Sequence, residues 1–275
     1  MTNPIENTRM NTFSQSNSTV ISNDAFRLAF DDPQFMQRDE LMGIRLQLEL
    51  LKPELAQAEA GINHTVVVFG STRFMSNENA YAQLQKAESS KDSALLPVAL
   101  TAVRNSHYYE AARRFAGLVA QKFANSSNEE RMTICTGGGP GIMEAANRGA
   151  KEAGAVSVAL NIALPHEQAP NPYVTDHLSF QFHYFAIRKM HFMLRAKALV
   201  AFPGGFGTFD ELFEIMTLVQ THKAKRVPVL LYGSDYWKRV INFELMLEEG
   251  TICAEDRACF QFADSPETAL ALIQS

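Results

Sequence analysis

Three cysteines in 275 residues, Cys135, Cys253 and Cys259, are too few and too scattered for a disulfide framework or a paired metal-ligand spacing. The histidines are as dispersed: His107, His166, His177, His183 and His191 form no zinc set, so no metal is expected. No long apolar segment and no secretory leader is visible, which predicts a reduced, soluble, cytoplasmic protein with no membrane contact. Lys and Arg number 25 against 30 Asp and Glu, a formal charge of −5, which argues against a nucleic-acid groove built on clustered cations. Also missing are the Gly-Lys-Ser/Thr of a P-loop and the full dinucleotide fingerprint, because Gly137-x-Gly139 is followed by Ile142 where a third glycine belongs. ATP-driven and NAD-dependent chemistry lose ground accordingly, and no cofactor is expected.

What is present is 46% hydrophobic residues, enough for one large domain with an ample core plus an appendage. Residues 1–23, rich in Asn, Ser and Thr without an apolar period, are expected to be disordered. Residues 24–61 form an N-terminal helical extension, in which Leu41, Ile44, Leu48, Leu51 and Leu55 recur at helical spacing, with an interruption at Asp32-Pro33 and a challenge at Pro53. Over 62–275, strands are expected at Thr65 to Phe69, Met132 to Cys135, Val156 to Leu160, Leu178 to Phe182, Ala198 to Phe202 and Val227 to Tyr232. Helices are expected from Tyr108, from Gly141, from Asp235 to Glu248 and from Pro266 to Ile273, with 75–104 read as an insertion or loop. The alternation predicts an α/β fold, a doubly wound parallel sheet with helices on both faces.

The densest signal is Phe202-Pro-Gly-Gly-Phe-Gly-Thr-Phe-Asp-Glu-Leu-Phe-Glu214, which follows an apolar strand and opens an amphipathic helix. Gly204, Gly205 and Gly207 allow close approach of a ligand to the backbone, and a helix start offers free amides and a favourable dipole to an anion. A phosphate suits this cradle, with the hydroxyl of Thr208 as an added donor. Thr208 and Glu211 also have the Thr-x-x-Glu spacing of a capping box, so Glu211 either closes the helix end or serves a ligand. A second strand–glycine–helix unit runs through Thr136-Gly-Gly-Gly-Pro-Gly141, adding Gly138 and Gly139 as phosphate contacts. Two such loops imply one crevice beyond the carboxyl ends of the strands, and Ser71, just after the first strand and Gly70, is a ligand contact for the same reason.

Between the loops, Tyr184 to Arg195 places Ile187, Met190 and Leu194 on one stripe and Arg188, His191 and Arg195 on another, facing solvent or an anionic ligand. Glu214 and Glu144, each three residues past a marked position, are candidate ligand contacts or dipole-favoured helix-start carboxylates.

Arg188-Lys189 followed by Pro203-Gly-Gly-Phe-Gly-Thr-Phe-Asp-Glu211 resembles the signature of the Lonely Guy (LOG) family of nucleoside 5′-monophosphate phosphoribohydrolases, often labelled lysine decarboxylases. The likeness runs from about Val66 to the C-terminus and includes Val68-Phe-Gly-Ser-Thr-Arg73, the Gly137 to Glu144 loop, Gln220-Thr221 and Asp235-Tyr-Trp237. Phe209 stands where leucine is frequent, and Met190-His-Phe-Met193 varies the turn after Arg188-Lys189.

The resemblance implies a Rossmann-like fold, a homodimer, and Arg188 and Glu211 as the essential pair. It also implies hydrolysis of the N-glycosidic bond of a purine nucleoside 5′-monophosphate, AMP or a cytokinin riboside monophosphate, to free base and ribose 5-phosphate. A non-catalytic nucleotide carrier or regulator is the alternative, since fold does not fix function. A pyridoxal-phosphate lysine decarboxylase is a third, weakened because no lysine stands in a context that argues for a Schiff base.

Overall fold

The computed structural model describes residues 24–90, 92–164 and 169–274; the disorder expected for 1–23 lies outside them. The chain divides into two compact units, the first ending at Arg45 and the second beginning at Leu46. In the first, helix α1 (Pro33–Met36) starts at the point read as an interruption. The Asp32 carboxylate accepts from the amides of Gln34 and Phe35 at 3.0 and 3.1 Å, and Pro33 fills a first-turn slot that needs no donor. Helix α2 (Met42–Glu59) runs through Pro53 without ending there.

The second unit then follows as β1 (His64–Phe69), α3 (Asn77–Ser89), α4 (Leu95–Lys122), β2 (Met132–Thr136), α5 (Ile142–Glu152), β3 (Ser157–Ile162), β4 (Ser179–Phe182), α6 (Phe185–Leu194) and β5 (Ala196–Ala201). It continues with α7 (Phe206–Gln220), β6 (Val229–Tyr232), α8 (Ser234–Val240), α9 (Phe243–Glu248), α10 (Ala254–Arg257), β7 (Gln261–Ala263) and α11 (Pro266–Leu272). The strands form one seven-stranded sheet, parallel throughout, in the order β4-β3-β2-β1-β5-β6-β7.

Central strand β1 shows why the sheet is buried on both sides. Val66 and Val68 point into a cluster with Tyr109, Phe115 and Ile142 of α4 and α5, while Val67 and Phe69 point into the opposite cluster with Phe192, Leu212 and Trp237 of α6, α7 and α8. An unbroken Val-Val-Val run suits a parallel strand covered on both faces, because alternate side chains each find a core. Phe69 meets Phe192 edge-on at 4.8 Å, tying β1 to α6.

Three expectations are corrected. Residues 75–104 are not a loop: they hold α3, capped by the Ser76 hydroxyl accepting from the Asn79 amide at 3.3 Å, and the first turns of α4, which begins at Leu95 and not near Tyr108. The single helix expected over Asp235 to Glu248 is two, because Asn242 starts α9 afresh by accepting from the Leu245 amide at 3.0 Å. Strand β7 on the sheet edge was not anticipated. No helix among the described residues is long and apolar enough to cross a membrane.

Candidate active site

Strand order reverses around β1 and β5: from β1 the sheet grows through β2 to β4 on one side and through β5 to β7 on the other. In such sheets a crevice opens beyond the carboxyl ends of the central strands, where the connections part to opposite faces. A cleft of about 1270 Å³ lies there, lined by the loops that follow β1, β2 and β5. Ser71 stitches these loops together. Its amide donates to the Pro203 carbonyl at 2.9 Å, its carbonyl accepts from Ile142 at 3.0 Å, and its hydroxyl accepts from the Arg73 amide at 3.1 Å. Gly141, at φ +74°, has to be glycine, because a Cβ there would run into the Ser71 carbonyl.

The loop after β5 turns directly into α7. Gly205 is the residue before the helix, so the helix begins at Phe206 and Thr208 already lies inside it. The capping-box reading is therefore corrected: Thr208 is not at the cap, and Glu211 is a further turn in. The Thr208 amide donates to the Gly205 carbonyl at 2.9 Å, leaving the amides of Gly204, Gly205, Phe206 and Gly207 without backbone acceptors among the described residues. The Thr208 side chain lies over Gly204, where an added Cβ would collide with its hydroxyl. Tyr236 from α8 donates its hydroxyl to the Gly204 carbonyl at 2.6 Å.

Glu211 is buried, 7% exposed, yet lines the cleft. Loss of hydration pushes its carboxyl up to about 7, with Arg188 and then Lys189 pulling the other way. Arg188 reaches in from α6: its Nε donates to the Leu160 carbonyl at 2.8 Å, its guanidinium lies 5.1 Å from the Phe192 ring centre, and Nη1 stands 3.9 Å from Glu211 Oε1. Gly137 makes room for it, since a Cβ there would sit 2.6 Å from Arg188 Nη2. Next to this pair, Lys189 Nζ binds Asp210 Oδ2 at 2.8 Å and Glu214 Oε2 at 2.6 Å.

Of the residues singled out in the sequence, Ser71, Gly139, Arg188, Gly204, Gly205, Gly207, Thr208 and Glu211 are brought together on the cleft. Three are not on its lining. Glu214 is held by Lys189, and Glu144 accepts from the Tyr109 hydroxyl at 2.8 Å. Gly138, at φ +71°, is the corner of its loop, its amide taken by the Thr136 hydroxyl at 3.0 Å and its carbonyl by Asn171. His191 and Arg195 do not share the Arg188 environment either: His191 is buried and Arg195 pairs with Glu54.

The cleft also takes in Arg73, Arg104, Asn161, Tyr236 and Arg239. Among the described residues Arg73, Arg104 and Arg239 make no ion pair. Arg73 follows the first strand closely and was within reach of topological reasoning, whereas Arg104 sits on a helix read as a loop.

Fold and site together define an open, doubly wound α/β protein with two glycine loops, an arginine and a buried carboxylate at its switch point. Residues 143–273, which include Arg188 and Glu211, match the family model described as "Possible lysine decarboxylase". A rice (Oryza sativa subsp. japonica) protein named "Probable cytokinin riboside 5'-monophosphate phosphoribohydrolase LOG4" is 35% identical over 79 residues, 28% of this chain and 34% of that protein. The "Pyrimidine/purine nucleotide 5'-monophosphate nucleosidase" of Escherichia coli K12 is 29% identical over 140 residues, 46% of this chain and 30% of that protein. The matches thus span about a third of the length of these curated relatives. Among solved structures, the molybdenum cofactor carrier protein of Chlamydomonas reinhardtii is similar at 20% identity and a TM-score of 0.44, over 77% of this chain and 96% of that one. The resemblance to the Lonely Guy family is thus supported by the family match over residues 143–273, which hold Arg188 and Glu211, and by these two curated relatives.

Proposed function

We propose that this protein hydrolyses the N-glycosidic bond of nucleoside 5′-monophosphates, AMP or cytokinin riboside 5′-monophosphates, to the free base and ribose 5-phosphate. The observation that carries this is the placing of Glu211: a buried carboxyl held near pH 7, 3.9 Å from Arg188 and one helical turn beyond the glycine loop. That turn, about 5.4 Å of rise, is on the scale of a ribose, so a 5′-phosphate on the loop amides brings C1′ toward Glu211.

In the proposed reaction the C1′–N bond breaks with its electron pair leaving on the base, and positive charge spreads over C1′ and the ribose ring oxygen. Ionised Glu211 stabilises that charge and takes a proton from the water whose oxygen bonds to C1′. Arg188 supplies fixed positive charge against phosphate, ribose oxygens or the departing base. The phosphate acts as a handle whose binding energy positions the sugar, so nucleosides without it react poorly. A Schiff-base decarboxylase fits less well, because among the described residues no lysine lines the cleft and the nearby Lys189 is tied to two carboxylates.

The test is release of adenine and ribose 5-phosphate from AMP, with isopentenyladenosine monophosphate and adenosine in parallel and Glu211→Ala as control. Release from the monophosphates alone, abolished in the variant, supports the hydrolase; tight binding with no release by the wild type supports the carrier. A homodimer, implied by the family resemblance, is part of the same reading. It is consistent with exposed Leu48, Leu51 and Leu55 on α2 and Met190 and Leu194 on α6, and sedimentation equilibrium tests it.

A further inference from the structure

Helix α6, which carries Arg188, has no cap of its own. Tyr184 precedes it in an extended conformation, and no side chain of that residue satisfies the first turn. The acceptors come from a segment 134 residues earlier: Glu49 of α2 accepts from the His183 amide at 2.9 Å through one carboxylate oxygen and from the Tyr184 amide at 3.1 Å through the other. The Tyr184 carbonyl in turn accepts from the Arg188 amide at 3.2 Å, so the capped residue is the one that holds the arginine's own backbone. At the other end, Arg195 closes α6, and its guanidinium pairs with the Glu54 carboxylate while its Nε donates to the Ile62 carbonyl at 2.8 Å. Buried His191 brings Nδ1 to 3.3 Å from the same Glu54 carboxylate.

We infer that Glu49 and Glu54 are positioning residues for the site: two carboxylates of α2 grip α6 at its two ends and thereby fix where Arg188 stands against Glu211. This rests on the active-site reading above. Glu49, Glu54 and α6 belong to the same compact unit as the sheet, which begins at Leu46. A negative group at the start of α6 is favoured by the helix dipole, and its removal takes away the acceptor that two amides there now share. The ten residues of α6 span about 15 Å. Pinned at both ends, the helix resists sliding along its axis, and Arg188, one turn inside the Glu49 end, inherits that registry. A displacement of about 1 Å at a reacting group is enough to cost about a hundredfold in rate.

The test compares Glu49→Ala with Glu49→Gln, which keeps one of the two acceptor oxygens and puts an amide nitrogen in place of the other. In Glu49→Ala, kcat for base release from a nucleoside monophosphate is expected to fall about 10- to 100-fold while KM changes little, with Glu49→Gln falling between that variant and the wild type. Amide exchange followed by NMR is expected to quicken at His183, Tyr184 and Arg188 in Glu49→Ala and at only one of His183 and Tyr184 in Glu49→Gln. Wild-type kcat and wild-type exchange in Glu49→Ala would overturn the inference, as would equal losses in both variants. If the wild type releases no base at all, the active-site reading fails, and the exchange measurement decides the grip by itself. Should Glu49→Ala fail to fold, Glu54→Gln, which removes the charge facing Arg195, carries the same readouts with loss expected at the Arg195 end.

Discussion

Arg188 Nη1 and Glu211 Oε1 stand 3.9 Å apart, too far for a hydrogen bond, with 13% and 9% of their side chains exposed. Burial outweighs attraction for both partners: it lifts the Glu211 carboxyl to about 7 and lowers the Arg188 guanidinium. The pair is an open one, its members close enough to feel each other without being hydrogen-bonded to each other.

Glu211 should make stability fall as pH rises. Its folded pKa of about 7 exceeds the ordinary 4.5, so the folded state binds the proton more tightly. That stabilisation is fully present below about 4.5 and lost as pH climbs through about 7. Glu211→Gln keeps the neutral form at all pH values and should gain on the wild type across this window, by at most about 3 kcal/mol. Urea melts at pH 4.5, 6 and 8 measure it; parallel stability profiles for the two proteins would contradict it.

Activity should move the opposite way. If ionised Glu211 takes the proton from water, kcat rises with pH through about 7, and Glu211→Gln should lose about 10²- to 10⁴-fold together with that limb. Arg188 holds the Glu211 pKa down, so in Arg188→Ala the surviving limb should shift to higher pH while kcat drops by about 10²-fold or more. A pH profile of Arg188→Ala superimposable on the wild type would rule out this coupling.

Two glycine substitutions should separate binding from chemistry. A methyl at Gly204 strikes the Thr208 hydroxyl and comes within 3.0 Å of the Ser71 amide, deforming the turn proposed to hold the phosphate. Gly204→Ala should therefore weaken monophosphates and narrow their advantage over nucleosides. A methyl at Gly137 strikes the flexible ends of Arg188 and Met143, at 2.6 and 2.8 Å. Gly137→Ala should fold and keep the phosphate preference while losing kcat. Kinetics with AMP and adenosine on both variants check the split.

The loop after β2 hangs on a buried polar network. Asn147 accepts from the Thr136 hydroxyl at 2.8 Å and from Asn171 at 2.9 Å, and donates to the Ser157 hydroxyl at 2.9 Å. Asn147→Leu removes these three buried hydrogen bonds at once and should destabilise the protein by about 2–4 kcal/mol in chemical denaturation.

Much of this architecture was legible because parallel strands and glycine loops write themselves into short stretches: Val66-Val67-Val68 and the Gly204 to Gly207 turn need only their neighbours to be recognised. Helix α3 was not, since only Ala80 and Ala87 of its thirteen residues are buried and neither makes an apolar stripe. Strand β7, at three residues, carries too little pattern to be seen. The Thr208–Glu211 spacing suggested a cap because that motif presumes Thr outside the helix, and here glycine takes the cap position. His191 and Arg195 read as an open cationic stripe because their partner, Glu54, lies 141 residues away from Arg195 in the chain. Patterns of local spacing hold no record of such a meeting.

Arg188 precedes β5 and Glu211 follows it, so α6, β5 and α7, a single uninterrupted piece of chain from Phe185 to Gln220, hold the glycine turn and both charged groups. The rest of the cleft wall comes from elsewhere in the chain, including the loops after β1 and β2, the strand β3 and the helices α4, α5 and α8. On the proposed reading, the groups assigned to the reaction are thereby written on one stretch of polypeptide and most of the facing wall on others, so that the wall can drift toward a new ligand while that cassette is inherited whole.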